Sequence, residues 1–145
     1  MDRLLEYLTR HPILVGGTAA LAVAVLVYEL SRARGAGTAV GPLDAVRLLN
    51  QGALMLDVRS KAEFDSGHVI DARHVPQEEL AANADALKKY REKVVIVCCE
   101  SGMRSAAATR VLAAQGHTKV VNLRGGLAAW RSENLPLVKT DAKGK

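Results

Sequence analysis

Residues 94–115 read VVIVCCESGMRSAAATRVLAAQ. The stretch opens on an unbroken apolar run through Cys98, the pattern of a short strand buried on both faces. Cys99 follows, and then a small polar loop, Glu100-Ser101-Gly102-Met103. Beyond Arg104 and Ser105, alanine and leucine recur at helical spacing as far as Gly116. The order is therefore strand, tight loop, helix. A cysteine at such a turn stands above the carboxyl edge of a parallel sheet, where ligand crevices open. The loop N–H groups can curl round an anion, and the helix start adds its positive end. A thiolate held there has a lowered pKa and is a good nucleophile. A lone cysteine at a strand end also reads as a small buried hydrophobe. The polar loop, Gly102, Arg104 and the helix start weigh toward the reactive reading.

Downstream, Gly116 and His117 turn the chain, and His117 beside that glycine is expected in solvent. Residues 119–123 read as a last strand. Gly125-Gly126 starts a short helix through Leu127 and Trp130, with the indole packed on the sheet. Leu135-Pro136-Leu137 closes the domain, and residues 139–145 form a frayed polar tail. Upstream, residues 77–91 read as a helix with Leu80, Ala84, Leu87 and Tyr90 toward the core. Pro76 stops a short strand near His74 and Val75. Ser60 suits the cap of a helical turn carrying Ala62, Glu63 and Phe64. Residues 53–58 read as the first buried strand. Pro42 opens a helix whose apolar face is Leu43, Val46, Leu48 and Leu49, and Gly52 ends it. Strands alternating with helices imply an α/β fold, a parallel sheet flanked by helices, over residues 42–138.

The first 41 residues have a different composition. Residues 1–12 are polar and mixed in charge; residues 13–28, ILVGGTAALAVAVLVY, carry no charge. Extended to residue 30, this run predicts one transmembrane helix at the short end of what spans a bilayer. Residues 31–41, SRARGAGTAVG, read as a linker. Arg3 and Arg10 precede the apolar run, while Arg32, Arg34 and Arg47 follow it, which leans toward a cytoplasmic C-terminal domain. A chain of 145 residues suits one domain plus such an appendage. The net charge of +5 fits anionic substrates or a membrane surface. No basic run is interleaved with aromatics, so nucleic acid is not an expected partner. The two cysteines are adjacent, which is no disulfide framework and suits a reducing compartment.

Several blocks resemble one family in order. Leu56-Asp57-Val58-Arg59, Glu63-Phe64, Gly67-His68-Val69 and Ala72-Arg73-His74-Val75-Pro76 resemble the opening half of a single-domain rhodanese. Cys99-Glu100-Ser101-Gly102-Met103-Arg104-Ser105 resembles its active-site loop. Residues 123–130, LRGGLAAW, with Leu135-Pro136, resemble its closing helix. With its N-terminal run, the whole chain resembles the membrane-anchored bacterial rhodanese-like proteins, which implies a single-pass placement in a bacterial inner membrane. The resemblance implies a rhodanese-like domain and a thiosulfate sulfurtransferase with no cofactor and no metal. In such enzymes the loop cysteine takes sulfur from thiosulfate or a persulfide donor and passes it to cyanide or a thiol. Asp57 and Arg59 match positions of structural support, expected as an ion pair bracing the loops. His68 and His74 are expected in turn and packing roles. The chain departs from the family at Asp71, where glycine is common, and at Cys98, where an aromatic is common. Glu100 is acidic beside an anion site and, if turned inward, would raise the cysteine pKa.

Two features stay open on the residues alone. Arg104 can steady the loop or attract the anion. Four residues separate Cys99 from Arg104, the compact loop of sulfurtransferases; five separate Cys98 from it, the spacing of cysteine phosphatases. Side chains alternate along a strand, so only one of the two thiols faces the loop centre. With Val94 to Val97 filling the strand, that thiol is Cys99, the expected persulfide-forming nucleophile. Two rival readings remain: a phosphatase or arsenate reductase, and a non-catalytic module that recruits a membrane protein partner.

Overall fold

The structure, a computed structural model, describes residues 10–35 and 38–140. It forms two compact units, Met1–Gly35 and Ala36–Lys145.

In the first unit, helix α1 spans Pro12–Gly35. Among the described residues no helix is long and apolar enough to cross a membrane. The uncharged run, residues 13–28, rises about 24 Å at about 1.5 Å per residue, against a hydrocarbon core of about 30 Å. Gly16, Gly17 and Thr18 dilute its apolarity further. This corrects the expected transmembrane helix over residues 13–30, and with it the inner-membrane placement, the orientation and the helix-mediated membrane partner. Helix α1 also continues through residues 31–35, which were expected to be linker.

The second unit is built on a parallel sheet. Its strands are β1 (Ala39–Val40), β2 (Leu54–Asp57), β3 (Arg73–His74), β4 (Val95–Cys98) and β5 (Val120–Leu123). The spatial order is β1-β5-β4-β2-β3, all parallel. The helices are α2 (Pro42–Asn50), α3 (Lys61–Ser66), α4 (Ala84–Leu87), α5 (Met103–Ala114) and α6 (Gly126–Ser132). Alternation along the strands divides the core into two layers. Leu56, Val58, Val95, Val97 and Cys99 pack toward Ala108 and Leu112 of α5. Met55, Ile96, Cys98 and Leu123 pack toward Ala45 of α2 and toward Leu127 and Trp130 of α6. The run at residues 94–98 is apolar throughout because both faces of β4 are covered.

Three local expectations need revision. Strand β1 lies inside the expected linker: Ala39 and Val40 pair with Asn122 and Leu123 of β5. Two residues between glycines carry too little periodicity to announce an edge strand. The helix expected over residues 77–91 is broken into the 3₁₀ turn Gln77–Glu79, α4 and the 3₁₀ turn Lys88–Tyr90. Asn83 donates from Nδ2 to the Glu79 carbonyl at 2.9 Å, the local side-chain bond that competes with helix propagation. Leu80 and Leu87 still reach the core.

The third revision is His117, expected in solvent but only 5% exposed. Gly116, at φ +92°, turns the chain back so that the His117 N–H donates to Leu112 O at 3.1 Å. Burial, with the positive charge of Arg91, holds the imidazole below its ordinary pKa of 6.5. The unfolded chain therefore binds a proton more readily than the folded one. Stability is full above the unfolded pKa and falls as pH drops through it. We expect the melting temperature to decline between about pH 7.5 and 5.5, and His117→Leu to flatten that decline. Equal slopes for the two proteins would show that His117 is not the group responsible.

Candidate active site

Cys99 directly follows β4 and lies on the α5 side of the sheet. Gly102 adopts the left-handed conformation at φ +94°, which closes the loop tightly enough to turn its amide inward. The Gly102 N–H donates to Cys99 Sγ at 3.0 Å and the Ser105 N–H at 3.4 Å. The Ser105 hydroxyl oxygen lies 3.4 Å from the same sulfur. Burial alone would raise the Cys99 pKa. The contacts from Ser105, Gly102 and Ser101 outweigh it and bring the thiol below its ordinary value. Cys98, on the opposite face, meets the reverse environment: burial pushes its thiol well above the ordinary value, and the charge of Asp57 adds to the rise.

The loop is held from three sides. Arg104 forms a two-pronged pair with Glu63, at 2.9 and 2.7 Å. Glu63 also closes the capping box of α3 with Ser60, so one carboxylate joins that helix start to the loop. The Arg104 bonds, with Ser60 helping, hold the Glu63 carboxyl down at about 2. Arg104 is thus paired with Glu63 and links the start of α5 to the start of α3.

Beneath the loop lie Asp57 and Arg59, 0% and 1% exposed. Arg59 Nη2 reaches Asp57 Oδ2 at 2.7 Å and the Gly67 carbonyl at 2.7 Å. Its Nη1 lies 3.5 Å from Glu100 Oε2. Glu100 turns sideways to pair with Arg131 of α6, and that pairing lowers its pKa.

The start of α6 supplies the third hold. Leu127 N–H donates to Cys99 O at 2.9 Å, and Ala128 N–H to Glu100 O at 3.1 Å. With those carbonyls drawn outward, the loop amides remain free to face the sulfur. The approach is very close: a Cβ on Gly126, already at φ +61°, would sit 2.4 Å from Cys99 O.

A profile of the rhodanese-like domain matches residues 42–133. The chain belongs to the rhodanese-like family. Protein YibN of Escherichia coli K12 is 35% identical over 141 residues, covering 96% of this chain and 99% of that protein. A sulfurtransferase of Allochromatium vinosum is 36% identical over 88 residues, covering 61% of this chain and 80% of that one. Among solved structures, a rhodanese-related protein of Thermoplasma volcanium is similar at TM-score 0.65 and 29% identity, covering 71% of this chain and 99% of that chain.

The remaining expectations find places in this rhodanese-like domain. Ser101 belongs to the loop, whereas Met103, expected there, is the first residue of α5, with its side chain largely exposed. His68 Nδ1 bonds the Phe64 carbonyl and His74 Nε2 the Arg59 carbonyl, each at 2.8 Å. Both rings stack on Phe64. Asp71, where the resemblance led to an expectation of glycine, occupies a left-handed turn at φ +59°, the conformation that favours glycine. Sequence reasoning gave no role to Asn122 or Arg131, and it did not join Glu63 to Arg104. Asn122 alone had a visible signal, a polar side chain inside the otherwise apolar strand Val120–Leu123.

Proposed function

We propose that this rhodanese-like domain is a thiosulfate-type sulfurtransferase that works through a Cys99 persulfide. The observation that carries the reading is the convergence of the Gly102 and Ser105 amides and the Ser105 hydroxyl on one sulfur. The Cys99 thiolate attacks the outer sulfur of thiosulfate. The sulfur–sulfur bond breaks and sulfite leaves with the bonding pair. The loop amides stabilise negative charge on the thiolate and then on the persulfide. Cyanide or a thiolate next attacks the terminal sulfur, and Cys99 departs as the thiolate. Asp57 and Arg59 support the loop from below, and Glu63 holds it through Arg104. The sulfurtransferase names among the relatives support the same reading.

Incubation of the protein with thiosulfate and cyanide should yield thiocyanate, with no hydrolysis of p-nitrophenyl phosphate. Phosphate-ester hydrolysis without thiocyanate would favour the phosphatase reading. Neither product would favour a non-catalytic module.

Glu100 sets a limit on this chemistry. Its carboxylate neutralises Arg131 and stands next in sequence to the nucleophile. Glu100→Gln keeps the shape and removes one negative charge from the approach of a dianion. At roughly 10 Å in water-like dielectric this is worth about fourfold in kcat/KM for thiosulfate. The gain should shrink as salt is added. A loss of activity, or a gain indifferent to salt, would show that Glu100 acts otherwise.

A further inference from the structure

Asn122 of β5 touches both ends of the cysteine loop. Its Nδ2 donates to the Gly102 carbonyl at 3.2 Å, and its Oδ1 accepts from the Ser105 hydroxyl at 2.6 Å. We infer that Asn122 is a positioning residue that holds the Ser105 proton away from the resting Cys99 thiol and releases it when the sulfur becomes charged. The inference rests on Cys99 being the reactive thiol.

The proton positions follow from what each atom can do. A carbonyl oxygen only accepts, so the Asn122 nitrogen must be the atom facing Gly102 O. That fixes Oδ1 toward Ser105. Oδ1 also only accepts, and a serine hydroxyl has one proton, so that proton lies between Ser105 and Asn122. Ser105 therefore offers Cys99 a lone pair across their 3.4 Å contact. The resting thiol fits, because its S–H donates to Ser105.

Ionisation reverses the fit. The thiol proton leaves to solvent, and a thiolate and a hydroxyl lone pair then face each other. The Ser105 hydroxyl rotates and donates to the sulfur, keeping its own proton. A hydrogen bond to a charged acceptor is stronger than the neutral one it replaces. Asn122 Oδ1 loses its donor, a cost that opposes ionisation. Ser105 is fully buried, so water does not readily substitute for it. Asn122 thus sets how readily the sulfur takes charge without touching it.

The test follows the Asn122 side-chain amide by nitrogen-15 NMR as pH is varied on the full chain. In parallel, the pH profile of iodoacetamide alkylation gives the Cys99 midpoint. We expect the Asn122 resonance to shift with the Cys99 midpoint. In Ser105→Ala that shift should fall by more than half, and the alkylation midpoint should move to higher pH. A flat Asn122 resonance through the Cys99 titration overturns the inference in the unmodified protein alone, whatever the variant does. An equal shift in Ser105→Ala also overturns it, because Asn122 would then sense the charge directly. If Asn122 follows Cys99 but no thiocyanate forms, the sulfurtransferase reading fails and the positioning role stands.

Discussion

Cys99→Ser should abolish thiosulfate-dependent formation of thiocyanate, while Cys98→Ser should retain most of it. The thiols are neighbours in sequence and opposites in environment. Cys99 faces the α5 side with the Gly102 and Ser105 amides directed at its sulfur. Cys98 packs among Met55, Ile96 and Leu123 on the other side, with its pKa raised by burial. A serine at residue 99 leaves the cradle in place but supplies an alcohol, which cannot form a persulfide. A serine at residue 98 puts a hydroxyl into an apolar layer, at a stability cost of about 1–3 kcal/mol, without altering the loop donors. After thiosulfate treatment, fragmentation mass spectrometry should place one added sulfur on Cys99. Sulfur mapped to Cys98, with Cys98→Ser as the inactive protein, would reverse the register and revive the phosphatase spacing.

The placement of the two cysteines on opposite sides of the sheet was legible in the sequence because the strand is short, apolar and directly joined to the loop. Period-two alternation then assigned the two cysteines to different faces before any contact was known. The same local logic found the Ser60 cap and β2, β4 and β5. It failed where the deciding interaction was distant or the signal short. Arg104 could have been a brace or an anion site, and its partner Glu63 lies 41 residues away. Glu100 was legible only as an acid beside an anion site, and its partner Arg131 lies 31 residues on. Strand β1 has only two residues, and its existence depends on the open edge of β5. In residues 13–28 the absence of charge was plain, but the length of the run fell short of a bilayer core.

The largest stability effect should come from below the loop. We expect Arg59→Met to destabilise the domain by about 3–5 kcal/mol, the range for leaving a buried charge without its partner. Arg59 donates to Asp57 from its backbone N–H, Nε and Nη2. Removing the side chain takes away the Nε and Nη2 bonds and leaves a carboxylate in a position with no solvent exposure. The Gly67 carbonyl loses its 2.7 Å donor as well, and Glu100 loses its 3.5 Å neighbour. The damage should spread along the backbone that carries the site. The amides of residues next to the pair, Val58 and Val75, bond Cys98 O and Asp57 O, and His74 bonds Arg59 O. Removing both charges tests the cause. Asp57→Leu combined with Arg59→Met should cost less than Arg59→Met alone, because no uncompensated charge remains. Urea unfolding of the two variants measures the difference. A loss below about 1 kcal/mol for Arg59→Met would reduce the pair to the energetics of a surface salt bridge. A double variant no more stable than the single would place the cost in packing instead of charge.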